Sequence, residues 1–576
     1  MIEVALRPDG SVAAVTSIPA GGDRSIAGDP PADDATLFPL DGLPLGHGGD
    51  LARGSPARSA IEAWRGGFSF ALWDREHATL HAFRDHYGAR PLYYHAAPGR
   101  LLLASGIPDI IRALPAPPPI DETAILEYLA AGTLSEDRTF HSGILRVPPA
   151  SQLIGATGGA RIERYWRPWV GPWSGSGDST DLAEEFRRLF QHAVAGALAG
   201  PGPVGVLLSG GPDSSAVLGM AAQVARREAP PGGPPRVALT MVFETVRQCD
   251  EGDPARRTAD LHDVTWRPIR VEGHSPLYRL DEFLRSFGEP PCSVNLSLEA
   301  LLLESARREG LAVLLDGHDA DALFTPSAAY LSTLVRRRRF GRLAREVAAL
   351  RRHHRLGLLG LARMTAVPLV PAPVRRLRRK APRWLRRDAV VRSGLERLLR
   401  PPPSSECFEE AEAERALGPR VGLALEVSRC LERMHGVEGR HPFFDPALVR
   451  FLLSLPIETR FRDGESKELM RRALADLLTT TTRRRIDKTN YTPYFDWSLR
   501  AHLGSDLERL ARTGSACLER YVDWDRARPM IRAFLAGHPG DRMAIWRLLV
   551  LERWLMLESA QQNCSETTSH ARRADR

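Results

Sequence analysis

Short apolar runs separated by turn residues occupy the first 165 residues of the chain. The clearest runs are GGFSFALWD (66–74), TLHAFRD (79–85), RPLYYHA (90–96) and RLLLASG (100–106). Runs of this length, bounded by Gly, Pro and Asp, are typical of β-strands. One helix is predicted over 121–132, in DETAILEYLAAG. Strands accompanied by a helix predict an α+β layer domain over residues 1–165.

Strands and helices then alternate. Strands are predicted at 204–208, 237–243, near VTWRPIR and at 311–316, and helices at 181–199, from 213 onward, 253–262, 276–287 and 297–309. This alternation predicts an α/β domain with a parallel sheet covered on both faces. The chain is mostly helical from about residue 330. The predicted divisions are a domain at 1–165, a linker at 166–180, a second domain at 181–560 and a disordered polar tail at 561–576.

The stretch VGVLLSGGPDSS (204–215) carries the clearest chemistry: an apolar strand leads through small residues into an apolar helix. Glycines let the backbone close around an anion, and the helix N-terminus supplies positive potential. Hydroxyl donors and a carboxylate able to hold Mg²⁺ complete a predicted pyrophosphate-binding loop. Its candidate nucleotide-binding residues are Leu208, Ser209, Gly210, Gly211, Asp213, Ser214 and Ser215.

The type of loop predicts the type of reaction. The other common phosphate loop, GxxxxGK followed by Ser or Thr, is absent from the sequence. A loop that grips the β- and γ-phosphates as pyrophosphate suits cleavage between the α- and β-phosphates of ATP. That cleavage converts an acid into an acyl-adenylate. The alternative is a glycine-rich turn without a ligand.

Composition narrows the class of protein. Hydrophobic residues make up 43% of the 576 residues, and the sequence shows no apolar run long enough to span a membrane and no signal-peptide pattern. The six cysteines are scattered without CxxC spacing, which predicts a cytoplasmic protein with reduced thiols and neither a disulfide framework nor a zinc site.

The net charge of +8 comes almost entirely from arginine. Only three of the 78 basic residues are lysines, namely Lys380, Lys467 and Lys488. A lysine that persists in such a composition marks a candidate functional position, because a guanidinium is broader than an ammonium and keeps its proton. Lys380 lies within an arginine-rich run and needs no special role. For Lys467 and Lys488, the alternative to a functional role is that they remained lysines by chance.

Motifs in the same order over most of the chain resemble the asparagine synthetase family. In the first half they are GGFSFALWD (66–74), RDHYGARPLYY (84–94), ASGIPDII (104–111) and EYLAAG (127–132) with DRTFHSGILRVPPA (137–150). In the second half they are LLSGGPDSS (207–215), LLDGHDADALF (314–324), GVEGRHPFFDPALVRFLLSLP (436–456), SKELMRRAL (466–474), RRRIDK (483–488) and IWRLLVLERWL (545–555). The resemblance implies an Ntn-type, glutamine-amidotransferase-like layer domain followed by an ATP-pyrophosphatase (PP-loop) synthetase domain.

The first domain departs from the family pattern. Family members that hydrolyse glutamine carry a nucleophilic cysteine directly after the initiator methionine, whereas this chain has Ile2 there and no cysteine before Cys249. The glutamine-binding segment is replaced by LGHGGDLARGSPARSA (45–60). We therefore expect that the first domain does not hydrolyse glutamine and serves as a structural wall.

The second acidic motif also departs. The family sequence Ser-Gly-Glu-Gly-Ala-Asp-Glu is replaced by DGHDADA (316–322). Both glutamates of the family motif are absent, and its aspartate is kept as Asp321. This variant resembles the branch that contains lasso-peptide cyclases. That branch adenylates an Asp or Glu side chain of a precursor peptide and joins it to the N-terminal amine.

The resemblance implies a role for each site residue. Asp213 and Asp321 would be the Mg²⁺ ligands, although either could be a helix cap. Lys467 would face the ATP phosphates, and Lys488 would stabilise the adenylate and the tetrahedral intermediate. A solvated lysine is the alternative for both.

The resemblance also implies residues for proton transfer and for contact with the adenine and ribose of ATP. Glu438 is a candidate general base, or the partner that orients one. His318 could accept the proton of the amine, although the preferred interpretation is that it only satisfies polar groups of its own loop. Gly317 and the strand that contains Val242 would border adenine and ribose. Arg440 and Asp445 are read as a structural pair.

Two arginine runs, 336–345 and 375–387, could bind nucleic acid. A solvated helix face is the preferred interpretation, followed by an acidic leader peptide or protein partner. Specific nucleic-acid binding is not expected, because aromatic residues for base stacking are missing from these runs.

The leading hypothesis is a lasso-peptide cyclase that uses ATP and Mg²⁺ and releases AMP and pyrophosphate. Its expected partners are the precursor peptide, a leader-peptide-binding protein and a leader peptidase. The first alternative is an asparagine-synthetase-like or β-lactam-synthetase-like ligase that joins a small-molecule acid to ammonia or an internal amine. The second is an inactive scaffold or a basic RNA-binding protein that reuses the fold.

Overall fold

The structure is a computed structural model. It describes residues 1–6, 12–17, 35–39, 58–74, 77, 79–132, 135–156, 159–168, 171–173, 179–200, 202–228, 233–318, 320–327, 329–354, 360–362, 365, 380–399, 407–416, 418–486, 489–538 and 540–574.

Two five-stranded antiparallel sheets form the first domain. The strands are β1 (Ile2–Leu6), β2 (Val12–Ser17), β3 (Ala35–Pro39), β4 (Ser69–Asp74), β5 (Thr79–Arg84), β6 (Tyr93–Ala97), β7 (Arg100–Ala104), β8 (Ile144–Arg146), β9 (Ser151–Ala156) and β10 (Gly159–Arg164), and the helices are α1 (Arg58–Ala63), α2 (Ile107–Ala113) and α3 (Glu122–Ala131). The strand orders are β2-β1-β7-β6-β8 and β10-β9-β5-β4-β3.

Strand β7 shows how the layers form. Leu101 and Leu103 face a core shared with the second sheet, whereas Leu102 and Ala104 pack with residues of α2. Successive side chains of a strand point to opposite faces, so an unbroken apolar run is buried on both sides. The predicted helix at 121–132 is present as α3, with Asp121 as its N-cap.

A parallel five-stranded sheet forms the centre of the second domain. Its strands are β11 (Val204–Leu207), β12 (Val237–Val242), β13 (Thr265–Arg270), β14 (Val313–Leu315) and β15 (Glu438–Arg440), in the order β13-β12-β11-β14-β15. All four pairings are parallel. The predicted parallel sheet is compatible with this arrangement, although β15 was not anticipated. Parallel strands end at one edge, which brings the residues after β11, β12 and β14 together.

Helices cover both faces of this sheet and continue to the end of the chain. They are α4 (Ser179–Leu198), α5 (Pro212–Glu228), α6 (Gly252–Leu261), α7 (Leu280–Phe287), α8 (Leu296–Arg308), α9 (Ala320–Phe324), α10 (Ala329–Arg336), α11 (Phe340–His354), α12 (Arg387–Ser393), α13 (Leu395–Leu398), α14 (Phe408–Ala416), α15 (Pro419–His435), α16 (Pro446–Ser454), α17 (Ile457–Arg460), α18 (Glu468–Ala473), α19 (Thr480–Arg484), α20 (Thr492–Thr513), α21 (Trp524–Leu535) and α22 (Arg542–Ala574). A hairpin of β16 (Phe461–Arg462) and β17 (Glu465–Ser466) interrupts them.

Three predicted boundaries differ from the structure. Residues 276–279 form a turn, and α7 begins only at Leu280, because Arg279 has a left-handed backbone with a φ of +59°. Trp166, predicted to open the linker, is buried beneath Arg450. Helix α22 extends through Ala574, where the sequence predicts a disordered tail. Residues 174–178 of the predicted linker lie outside the described residues.

A buried ionic cluster joins the two domains. Arg84 Nη2 donates to Glu426 Oε1 at 2.7 Å and Arg146 Nε donates to Glu426 Oε2 at 3.0 Å. The hydroxyl of Tyr93 donates to the same carboxylate at 2.8 Å. Burial alone would raise the pKa of Glu426, but the two guanidinium groups outweigh it and lower that pKa. Because Glu426 lies on α15 and its partners lie in the first domain, the cluster fixes one domain against the other.

Candidate active site

The predicted phosphate loop joins the central strand β11 to α5. The N–H of Leu208 donates to Leu239 O at 2.8 Å, which prolongs the strand pairing while the Leu208 side chain stays buried. The N–H of Ser209 donates to Ser214 Oγ at 3.1 Å, and the two hydroxyl oxygens are 3.1 Å apart. Side chains from the loop and the first turn of the helix therefore hold the loop in shape.

Gly210 allows the loop to approach the next helix. Its φ is +67°, and a Cβ there would lie 2.8 Å from the backbone nitrogen of Ala255 at the start of α6. The left-handed backbone and the missing side chain are both required at this position. At Gly211 the nearest atom to such a Cβ would be Ser209 Oγ at 3.4 Å, so the constraint there is weaker.

Ser215 points in another direction. Its side chain is fully buried, and its hydroxyl oxygen lies 3.4 Å from Thr258 Oγ1 on α6. The predicted contact of this hydroxyl with a phosphate stays a prediction. Val242, the other predicted nucleotide contact, ends the neighbouring strand β12 and is half-buried at the same sheet edge.

One lysine bridges the two predicted metal ligands. Lys467 Nζ lies 2.6 Å from Asp213 Oδ2 and 2.5 Å from Asp321 Oδ1. Burial opposes the ammonium charge, but the attraction of both carboxylates outweighs it and raises the pKa of Lys467. Residues from three motifs, more than 250 positions apart at the extremes, therefore converge beside the phosphate loop.

The β16–β17 hairpin positions this lysine. Lys467 has a φ of +68°, and its N–H donates to Arg460 O at 3.0 Å where the hairpin closes. At the tip, the fully buried carboxylate of Glu346 on α11 accepts the N–H of Gly464 at 2.9 Å. The left-handed backbone at Lys467 turns the chain directly into α18.

The carboxylates suit a divalent cation that arrives with a nucleotide. Asp213 and Asp321 keep 18% and 32% of their side-chain exposure. Among the residues that the structure describes, no group of three His, Cys, Asp or Glu side chains is arranged to hold a metal. Mg²⁺ is commonly held by one or two carboxylates while phosphate oxygens supply further ligands. The two residues fit that pattern, in which Mg²⁺ neutralises phosphate charge.

The second acidic motif packs directly on the phosphate loop. A Cβ on Gly317 would lie 2.7 Å from Ser214 N and 2.9 Å from Asp213 C, so only glycine fits. The adjacent His318 is 48% exposed, with its Nδ1 3.6 Å from Asp316 Oδ2. Gly317 thus lies beside the phosphates' expected position; its predicted border with adenine and ribose stays a prediction.

Asp316 and His441 form a pair that the sequence does not predict. His441 Nδ1 lies 2.8 Å from Asp316 Oδ1, and both side chains are largely buried. Burial opposes the charge on Asp316, but His441 and His318 outweigh it and hold the pKa of this carboxyl well below its usual range. Both residues lie inside quoted motifs, yet the parallel pairing of β14 and β15 is what brings them together.

Glu438, a predicted general base, is held by two arginines. Arg90 Nη2 donates to its Oε1 at 2.9 Å and Arg440 Nε at 3.0 Å. Burial would raise the pKa of Glu438, but Arg90 and then Arg440 outweigh it and lower that pKa. The residue is therefore placed for orientation more than for proton transfer.

The expected pairing of Arg440 with Asp445 is wrong. Arg440 contacts Glu438 and the carbonyl of Ala197 at the end of α4. Asp445 caps α16 through its carboxylate and pairs with Arg65 at 3.2 Å. Both residues have structural partners, but not each other, because β15 directs Arg440 toward α4.

A cavity of about 320 Å³ lies between the domains, and we refer to it as the interdomain cavity. The first domain contributes Arg65, Tyr87 and Arg90 to its wall, and the second contributes Glu438 and His441. Its wall therefore includes the Glu438 carboxylate and the Asp316-bound imidazole.

Other predicted positions are more remote or outside the described residues. Lys488 lies outside the described residues. Ile2 is 1% exposed in the apolar core between the two sheets of the first domain. In the first arginine run, Arg337 and Arg339 pair with Glu409 and Glu458, while residues 375–379 of the second run lie outside the described residues. No described helix combines the length and apolar character needed to cross a membrane.

Comparison with known proteins identifies amidases and an asparagine synthetase as relatives of the chain. The chain is 28% identical over 286 residues to an amidase, chyE, of Penicillium rubens, which covers 48% of the chain and 42% of the relative. It is 28% identical over 276 residues to an amidase, chry2, of Gibberella zeae, covering 46% and 40%. It is 33% identical over 163 residues to a glutamine-hydrolysing asparagine synthetase of Bacillus subtilis, covering 28% and 26%.

The chain thus spans less than half the length of these relatives. The family model for the glutamine amidotransferase domain matches residues 55–166, and the model for asparagine synthase matches residues 185–556. The two matches correspond to the two domains of the fold. Since the second match covers more than half of the sequence, the chain belongs to the asparagine synthase family.

Proposed function

We propose that this protein is an ATP-dependent, AMP-forming carbon–nitrogen ligase of the asparagine synthetase type. The observation that carries the proposal is the convergence of Asp213, Asp321 and Lys467 on a loop that requires glycine at position 210. Two carboxylates suit Mg²⁺, and the loop and the helix N-terminus suit phosphates. Family membership supports the same reaction class.

The finer proposal is that the ligase is a lasso-peptide cyclase. It would adenylate a side-chain carboxylate of a precursor peptide and close a macrolactam ring with the N-terminal amine. Supporting it, Ile2 is buried in an apolar core, a site unsuited to releasing ammonia from glutamine. The His318-containing motif supports it further through its resemblance to that branch. A leader-peptide-binding protein and a leader peptidase would be its partners, in the cytoplasm.

The alternative is a ligase that acts on a small-molecule acid with ammonia or an internal amine. The same adenylation site serves both functions. An amine substrate of small size would also fit the interdomain cavity of about 320 Å³.

Mass spectrometry of the candidate precursor peptide distinguishes these functions. The peptide is incubated with this protein, the peptidase, ATP and Mg²⁺, with Asp213→Ala as the matched control. Loss of ~18 Da, one water, together with AMP release is the expected result of condensation through an adenylate. AMP without mass loss would indicate activation with the wrong amine. If neither the mass loss nor AMP is observed, the result favours the small-molecule ligase. That function is then tested by AMP release with small acids.

A further inference from the structure

The amide-forming step needs a base, because an attacking amine must lose a proton after it bonds to the carbonyl carbon. The sequence offers Glu438 and His318. Glu438 is engaged by Arg90 and Arg440, and a carboxylate stabilised by two guanidinium groups is a weak base. His318 is about half exposed, so water competes for its ring. A third group meets the geometric requirement better.

That group is His441. Its Nδ1 lies 2.8 Å from a carboxylate oxygen of Asp316, and only 12% of its side chain is exposed. A carboxylate at Nδ1 places the proton of the neutral ring there, which leaves the lone pair on Nε2. A base that is oriented by a third group is the recurring arrangement of proton-transfer sites.

The location of this pair relates it to both halves of the reaction. Gly317, next to Asp316 in sequence, lies against the backbone of Asp213 and Ser214 in the phosphate loop. His441 lines the interdomain cavity on the other side. The pair therefore lies between the place where the adenylate would form and a space that could hold an amine.

We propose that His441, oriented by Asp316, is the general base of amide formation and that the amine occupies the interdomain cavity. This inference rests on the proposed ligase function. The amine nitrogen bonds to the carbonyl carbon of the acyl-adenylate, and the bond from that carbon to the phosphate oxygen breaks. AMP leaves with the electron pair, and the proton from the nitrogen passes to Nε2 of His441.

Charged groups on each neighbouring element set the pH response of this base. Asp316 faces it from the end of β14 and His318 from the following turn, while Glu432 faces it from α15. Burial lowers the pKa of His441, but the attraction of Asp316 outweighs burial and raises it. The rate of ring closure should rise with pH through this raised pKa, because only the neutral ring accepts a proton.

The test separates adenylation from amide formation in the full-length protein. Adenylation is measured as exchange of labelled pyrophosphate into ATP with the precursor peptide, and amide formation as ring closure by mass spectrometry. We expect His441→Gln to retain exchange and to close the ring about 10²-fold more slowly. Added imidazole should restore part of the closure, and the rising limb of the pH profile should disappear. The exposed His538→Gln is the matched control, with unchanged rates.

Two additions keep the test decisive. Hydroxylamine, a weakly basic nucleophile that needs little help to lose its proton, should capture the adenylate as a hydroxamate equally well in His441→Gln and in the wild type. Asp316→Asn keeps the imidazole but removes the carboxylate, so ring closure should fall and the pH limb should move to lower pH. This variant decides the matter if His441→Gln does not fold.

Three results would overturn the inference. Equal ring closure and an unchanged pH limb in both variants would show that His441 carries no proton. Loss of pyrophosphate exchange together with closure would assign His441 to the nucleotide site instead. Absence of exchange in the wild type, with the precursor peptide and with small acids alike, would overturn the proposed ligase function, and this inference with it.

Discussion

Two ionic clusters behave differently in this protein. In the domain interface, Arg84, Glu426 and Arg146 are at most 4% exposed, and each carboxylate oxygen receives a guanidinium donor. Beside the phosphate loop, a single Lys467 serves two carboxylates that keep 18% and 32% exposure. The comparison separates a closed cluster that stabilises the fold from an open one whose carboxylates can exchange partners for a cation or phosphate.

The closed cluster should give the largest effect on stability. Glu426→Ala removes the carboxylate that the buried Arg84 and Arg146 share, although Arg146 keeps its pairing with Glu289. Breaking such a buried pair costs about 3–5 kcal/mol of unfolding free energy. Urea unfolding measures it, with Glu426→Gln as a control that keeps an acceptor and should lose less. ATP-dependent activity per folded molecule should stay near the wild type. A variant as stable as the wild type would show that the interface does not depend on this cluster.

A substitution in the open cluster should reduce activity more than stability. Lys467→Met removes positive charge where phosphate charge develops, so adenylate formation should fall about 10²–10³-fold. Unfolding free energy should fall less than in Glu426→Ala, because water reaches both carboxylates. Lys467→Arg keeps the charge but not the compact shape, and should recover only part of the activity. Full activity in Lys467→Met would remove this lysine from the site.

A further carboxylate, that of Glu299 on α8, lies near other acidic groups. Burial, together with Glu432 and Asp316, raises the pKa of Glu299 to about 7, although Ser428 and His318 oppose the shift. The folded protein therefore binds a proton that the unfolded chain, at a pKa of 4.5, releases. Stability from this group is present below pH 4.5 and is lost as pH rises through about 7.

Glu299→Gln should remove this pH dependence. At a pH of about 8 the variant should be more stable than the wild type, by about 3 kcal/mol. Near pH 5 the two should be close. Urea unfolding at both pH values gives the difference, and equal stabilities at the higher pH would contradict the raised pKa.

The smallest effect tests the backbone beneath the open cluster. Gly210→Ala adds a Cβ 2.8 Å from Ala255 N at a positive φ, which costs about 1–2 kcal/mol for the left-handed conformation alone. The displaced loop should also raise the KM for ATP. Gly341→Ala on α11 is the matched control: its Cβ would meet no atom within 4 Å, so it should be neutral or slightly stabilising. Similar behaviour of both variants would mean that the loop tolerates a shift.

Local sequence was sufficient for the elements and for the phosphate loop. Period-two and period-3.6 apolar patterns depend on neighbouring residues, so α3, α8, β11 and β12 lie within one or two residues of their predicted bounds, and α5 begins one residue before its predicted start. The loop was equally readable, because its glycines and hydroxyls are contiguous in sequence. The orientation of its side chains was harder to predict, because Ser215 belongs to the predicted loop but packs against α6.

Proton-transfer chemistry was harder to predict. Glu438 and His318 were selected from motifs, but a motif gives residue identity and not partners. Arg90 reaches Glu438 from 348 positions earlier in the chain, so the lowered pKa of this carboxyl could not be read from its own segment. His441 and Asp316 are 125 positions apart and meet only because β15 pairs with β14.

Short-range patterns and backbone freedom were enough to predict the two-domain order, the parallel sheet and a glycine-dependent phosphate loop. Which charges share a site depends instead on tertiary packing. Packing places Lys467 between Asp213 and Asp321, pairs Glu438 with two arginines and pairs His441 with Asp316. Electrostatic roles depend on distance and burial, and both are fixed only when strands and helices remote in sequence pack together.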